Sequence, residues 1–166
     1  MEKKNKIFLK SKEFFYGWIC GFVDGEGCFS ISFNFKRSMP EGIEVRPSFS
    51  ISQKSHSLES LEIIKEYFQC GGIRYSSKDG TYKFEVRSIQ DLKMKILPFF
   101  RENNLYTKKN KDFLVFDEVC KSILSGQHLN KDGLKEILIK SYKMNGSGKR
   151  KHLLEDLLKF IGELKV

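Results

Sequence analysis

At 166 residues, 40% hydrophobic and 15 of them phenylalanine, the chain is long enough for one buried core and short for two, which excludes a disordered polypeptide. Thirty Lys and Arg against 21 Asp and Glu leave a net charge of +9, so a polyanion, nucleic acid above all, is the natural partner. Cys20, Cys28, Cys70 and Cys120 have no CxxC spacing and no nearby histidine pair, the N-terminus has no signal-peptide apolar run, and no stretch approaches the ~20 apolar residues of a membrane span. Reduced thiols, no zinc and an intracellular setting, cytoplasmic or organellar, are expected. One domain is expected over 1–166, as an N-terminal arm (1–11), a core (12–125) and C-terminal helices (126–166).

The first predicted element is a helix over FFYGWICGFVDGEG, where Gly17, Gly21 and Gly25 recur every fourth position and form a stripe without side chains. Glycine costs about 1 kcal/mol against alanine inside a helix, so three in register imply that a second backbone packs there, with Trp18 and Phe22 beside it. GxxxG spacing also marks membrane helix dimers, but Asp24, Glu26 and the short apolar length argue for a soluble seam. Both acids emerge where the helix gives way to a strand.

From Cys28 onward Phe29, Ile31, Phe33 and Phe35 alternate with Ser30, Ser32, Asn34 and Lys36, the period of a half-buried strand. Past a turn at Arg37 to Gly42, Val45, Phe49 and Ile51 alternate with Glu44, Arg46, Ser48, Ser50 and Ser52, completing a hairpin. Ser57 to Phe68 has helical spacing and Gly71-Gly72 ends it. Strands over Ile73 to Lys78 and Thr81 to Arg87 flank Asp79-Gly80, a two-residue hairpin signal, and carry the polar set Arg74, Ser76, Lys78, Lys83, Glu85 and Arg87. Helices follow over Gln90 to Phe100 and Lys108 to Leu124, then about two more beyond Gly126. The order is αββαββα plus helices, an α+β fold. Near the end, YKMNGSGKRKH reads as a flexible loop touching phosphates or as a linker.

Ile19 to Gly27, ICGFVDGEG, resembles the motif of the LAGLIDADG homing endonucleases, with Gly21, Asp24, Glu26 and Gly27 on its most restricted positions. The resemblance implies two such helices side by side, each presenting its last acid to a divalent ion: Glu26, with the Gly25 carbonyl as a neighbouring ligand. One motif per chain implies a homodimer through Gly17, Gly21, Gly25, Trp18 and Phe22. It further implies a four-stranded antiparallel saddle on double-stranded DNA, cleavage of both strands at a long pseudo-palindromic site, and a gene commonly carried within an intron or intein.

Phosphodiester hydrolysis needs a nucleophilic water, charge neutralisation and help for the leaving oxygen, all of which oxygen-bound Mg²⁺ or Mn²⁺ can supply. Asp24 reads as structural, bonding near the helix end. The resemblance puts a water-positioning residue at Gln53, with Lys54 next to it, and offers Ser57 where some dimeric members have a basic residue; His56 is a local substitute. It also puts a lysine near the scissile phosphate, for which Lys108 and Lys109 are both candidates. The DNA-facing set is Ser30, Ser32, Asn34, Lys36, Arg46, Ser48, Ser50, Lys54, Arg74, Ser76, Lys78, Lys83 and Arg87, chosen because both hairpins are polar on one face of a basic protein. Two rivals share the scaffold: a maturase, for which RNA is the partner, and a nonenzymatic DNA-binding regulator.

Overall fold

Ser11 opens the first helix by accepting a hydrogen bond from the Phe14 amide at 3.3 Å, and α1 (Lys12–Glu26) runs until Gly27 turns the chain into an extended conformation. The computed structural model describes residues 11–146 and 150–163, so the expected arm before Ser11 and Ser147 to Lys149 of the C-terminal loop lie outside it. After α1 come β1 (Gly27–Phe35), β2 (Ile43–Lys54), α2 (Leu58–Phe68), β3 (Gly72–Ser76), β4 (Thr81–Val86), α3 (Ile89–Asp91), α4 (Leu97–Glu102), α5 (Lys109–Leu124), α6 (Lys131–Ser141) and α7 (Leu154–Glu163). The strands hydrogen-bond in the order β1-β2-β4-β3, an antiparallel sheet, so the expected α+β order of αββαββα with further helices holds. No helix among the described residues is long and apolar enough to cross a membrane.

Two local structures differ from the sequence expectation. Ser76 pairs with Thr81, so the second hairpin closes through four residues, 77–80, and Lys78 belongs to the turn. Gly80 supplies the positive φ of 63° there, and the Thr81 hydroxyl donates to Asp79 at 2.8 Å. The helix expected over Gln90 to Phe100 begins at a Ser88 cap and carries a π turn, Leu92–Ile96, just ahead of Pro98. Proline has no amide hydrogen and its ring crowds the preceding turn, so local widening of the helix accommodates it.

Packing gathers the described residues into two units of interleaved segments, and it does not break at 125. In the first (11–28 and 49–110), Phe15, Ile19, Cys20 and Val23 bury one face of α1, while Phe49 meets Phe68, Phe84 and Phe100 at 5.5–6.4 Å between ring centres. In the second (29–48, 111–146 and 150–163), Phe29 packs on Phe113 and Phe116. Arg150 is a further correction: it turns inward, donating to the carbonyls of Ser141, Met144 and Ile31 and lying over the Tyr142 ring at 4.3 Å. Burial pushes its pKa below the usual arginine value. It ties the end of α6 to its unit in place of reaching for phosphates.

Candidate functional site

Two acids leave the end of α1 with opposite surroundings. Asp24 accepts from the Tyr106 amide at 2.8 Å, the Thr107 amide at 3.2 Å and the Thr107 hydroxyl at 2.7 Å. Burial pushes its carboxyl up, but these three bonds and the Lys109 charge outweigh burial and hold it below the ordinary 3.8. Asp24 is thus a bracket that fixes the loop leading into α5. Thr107 passes the bracket on by accepting from the Lys109 amide at 3.2 Å, and the Lys109 ammonium in turn donates to the Gly27 carbonyl. Lys109 therefore stands at the end of the motif, whereas Lys108 is exposed.

Glu26 is exposed and, among the described residues, its carboxylate takes part in no ion pair or side-chain hydrogen bond. The turn that presents it requires glycine next: a Cβ on Gly27 would lie 2.6 Å from Val23 Cγ1 and 2.8 Å from the Val23 carbonyl oxygen. Carbonyls at a helix C-terminus lack partners and carry the negative end of the helix dipole. Glu26 and the Gly25 carbonyl are thus hard oxygen donors in a field that favours a cation, which fits Mg²⁺ or Mn²⁺. No group of three His, Cys, Asp or Glu that could hold a metal occurs among the described residues, so the remaining ligands would come from water, phosphate or a second protomer. Gln53 is half-buried, follows Phe49 and Ile51 on their face of β2 and pairs with Tyr82, so it lies off the polar sheet face. His56 and Ser57, the candidates beside it, bond each other at 2.8 Å.

The stripe on α1 is bare. Gly17, Gly21 and Gly25 are exposed, and a Cβ on any of them would meet nothing within 4 Å. Trp18 and Phe22 flank it half-buried, their rings 5.5 Å apart, and Phe14 is 50% exposed. Nothing among the described residues explains three helix-weakening glycines here.

Each hairpin half places its polar side chains together. In the second unit, Ser30 and Ser32 donate to the carbonyls of Ser48 and Arg46, both at 3.4 Å; Asn34 is half-buried and Lys36 exposed. Ser48 and Ser50, expected to reach DNA, are buried at 8% and 4%, because a short hydroxyl on an inner strand is overtopped by longer neighbours. In the first unit Ser50 pairs with Glu85, Ser52 with Lys83, Lys54 and Ser76 with Thr81, and Lys83 with Arg74. The sequence did not reveal what the two acids of these faces do. Glu85 takes Arg74 at 2.7 Å, Arg87 at 2.9 Å and Lys83 at 3.1 Å. Glu44 takes Lys36 and Arg46, each at 2.5 Å, and the hydrogen bond from Lys36, ahead of Arg46, holds its carboxyl below the usual range. Strand parity alone carries the hint: each acid lies two residues from a cation on the same face.

Known proteins resemble this chain in sequence and fold. The pattern of the LAGLIDADG endonuclease family matches residues 19–120. A probable intron-encoded endonuclease of Neurospora crassa is 31% identical over 73% of the chain, which spans only a quarter of that relative's length. The archaeal intron-encoded homing endonuclease I-Vdi141I, solved in complex with DNA, is 32% identical with a TM-score of 0.85, covering 92% of this chain and 98% of its own. I-SmaMI, solved on an uncleaved DNA target in the presence of calcium ions, is 29% identical with a TM-score of 0.78 over 87% of this chain and 48% of its own. With the glycine-striped helix, its terminal acid and the four-stranded sheet all in place, the chain belongs to the LAGLIDADG endonuclease family.

Proposed function

We propose that two copies of this chain form a homodimer that hydrolyses both strands of double-stranded DNA at a long pseudo-palindromic site, using divalent cations. The observation that carries this reading is the pairing of a glycine stripe that is bare among the described residues with a Glu26 that has no partner among them. Docking two stripes would bury the open glycine faces and bring two Glu26 carboxylates toward one axis, where like charges repel unless cations lie between them. A chain that matches one DNA-bound relative along its whole length and another along half of its length supports one protomer per half-site.

In this reading Glu26 and the Gly25 carbonyl hold Mg²⁺ or Mn²⁺, which when bound neutralises phosphate charge and makes water more acidic. Lys109, already at the motif end, faces the scissile phosphate and offsets charge developing on it. Gln53 orients the attacking water. Asp24 keeps the Lys109 loop in place, so its contribution is positional. Arg46, Lys54, Arg74 and Lys83 on the strands, Lys36 and Arg87 just past their ends and Lys78 in the turn contact phosphates and base edges, with Ser30, Ser32, Asn34 and Ser76 among them.

A randomised duplex pool incubated with the protein and Mg²⁺ tests the proposal when the cut ends are sequenced. A symmetric site with staggered ends, lost on chelation, is the expected result. Cutting at an unchanged rate in chelator, or no cutting of any duplex, contradicts it.

A further inference from the structure

Glu85 is the most crowded charge on the sheet. Its side chain is 9% exposed, yet the three cations it binds are open: Arg74 at 57%, Arg87 at 56% and Lys83 at 34%. Anything approaching this face meets guanidinium and ammonium groups, with the carboxylate beneath them. The register makes the acid necessary, because Arg74 lies directly opposite Lys83, and like charges in that position repel. Exposed ion pairs add little to stability, so holding the fold together is a weak reason for this one. A carboxylate also repels phosphate, so for indiscriminate DNA binding it is a liability.

Its geometry suits another use. Arg87 meets Glu85 through Nε and Arg74 meets it through one terminal nitrogen, and among the described residues no hydrogen bond engages the terminal nitrogens of Arg87. A guanidinium carries five N–H donors in a rigid fork, and its commonest specific partner in the major groove is the O6/N7 edge of guanine. Fixing the fork in advance removes the rotamer freedom that a long side chain otherwise loses on binding. In the other unit, Glu44 Oε2 holds Arg46 through Nε and Glu44 Oε1 holds Lys36, which repeats the pattern.

Resting on the proposed DNA binding, we propose that Glu85 is a specificity-determining positioning residue, which aims Arg74 and Arg87 at guanine edges and lowers the protein's affinity for DNA that lacks them.

The test compares the wild-type dimer with Glu85→Gln and Arg87→Lys in selection from a randomised duplex pool. It is run in chelator so that binding alone is read, with salt titrations on the selected site and on an unrelated duplex. Wild type is expected to enrich a site containing guanine-restricted positions. Glu85→Gln should bind the unrelated duplex as tightly or more tightly and lose about tenfold of its discrimination at each of those positions alone. Arg87→Lys, which keeps the charge and removes the fork, should lose preference at one guanine with an unchanged salt slope, and it decides the matter should Glu85→Gln fail to fold. Discrimination unchanged in Glu85→Gln, a loss spread evenly over every position, or unaltered guanine preference in Arg87→Lys overturns the proposal while leaving DNA binding intact. A wild-type protein that enriches nothing overturns it together with the proposed function.

Discussion

Among the described residues Glu85 lies beneath three cations and Glu26 beneath none, although both stand on surfaces that meet DNA in the proposed complex. On the sheet both acids are paired with cations within the protomer, and what DNA would meet in the proposed complex is an ordered array of donors. At the end of α1 one acid, Asp24, is consumed in bracing a loop, and the other is left with a charge that no described residue answers. Binding surfaces gain from internal matching because it fixes geometry before contact. A centre for hydrolysis gains from the opposite, since an unmatched carboxylate is what a cation requires.

Removing the second protomer breaks this comparison most severely. Gly21→Leu places a side chain where the protomer has open space, so the isolated chain should melt at the same temperature or higher, helped by the ~1 kcal/mol that leucine gains over glycine in a helix. The dimer should fall apart in sedimentation, and double-strand cutting should drop by about a thousandfold or more. A dimeric Gly21→Leu that cuts normally would place the interface elsewhere.

A smaller effect is expected at the braced acid. Asp24→Ala strips three hydrogen bonds from a charged acceptor and should cost about 2 kcal/mol in denaturant unfolding, with the loop before α5 becoming the most readily exchanged amide segment of its unit. The pH dependence sharpens it. Because the folded carboxyl titrates below its ordinary 3.8, its stabilisation is fully present above that value and is lost as the pH falls through the lower folded value. Asp24→Asn should remove that part of the acid-side slope. An identical slope in wild type and variant would contradict the bracket.

Much of this was legible in the sequence, and the failures have physical reasons. Alternation of Phe29, Ile31 and Phe33 with Ser30 and Ser32 set the faces of β1, because side chains on a strand alternate whatever the partner. Burial then failed at Ser48 and Ser50, since their exposure depends on neighbours that only pairing reveals. A four-residue turn in place of a two-residue one shifted the β3–β4 register by two, which preserves the faces and changes which charges stand opposite each other. The expected register would set Arg74 opposite Glu85, whereas the observed one sets Arg74 opposite Lys83, with Glu85 serving both of them and Arg87. The glycine stripe and both acids were visible as a motif, and the resemblance already set Asp24 apart as a structural acid, but nothing in residue spacing named Tyr106 and Thr107 as the groups it binds. Spacing did not separate Lys108 from Lys109 either; the contact from Lys109 to the Gly27 carbonyl is what favours Lys109 in the proposed role.

Glu26→Gln measured for both binding and cutting on the selected site reaches the centre of the account. Removing a carboxylate that pairs with no described residue should leave folding and DNA affinity within about threefold of wild type and abolish cleavage in Mg²⁺. Cleavage at the wild-type rate, or loss of affinity in step with activity, would contradict the assignment of Glu26 as the acid that grips the cation.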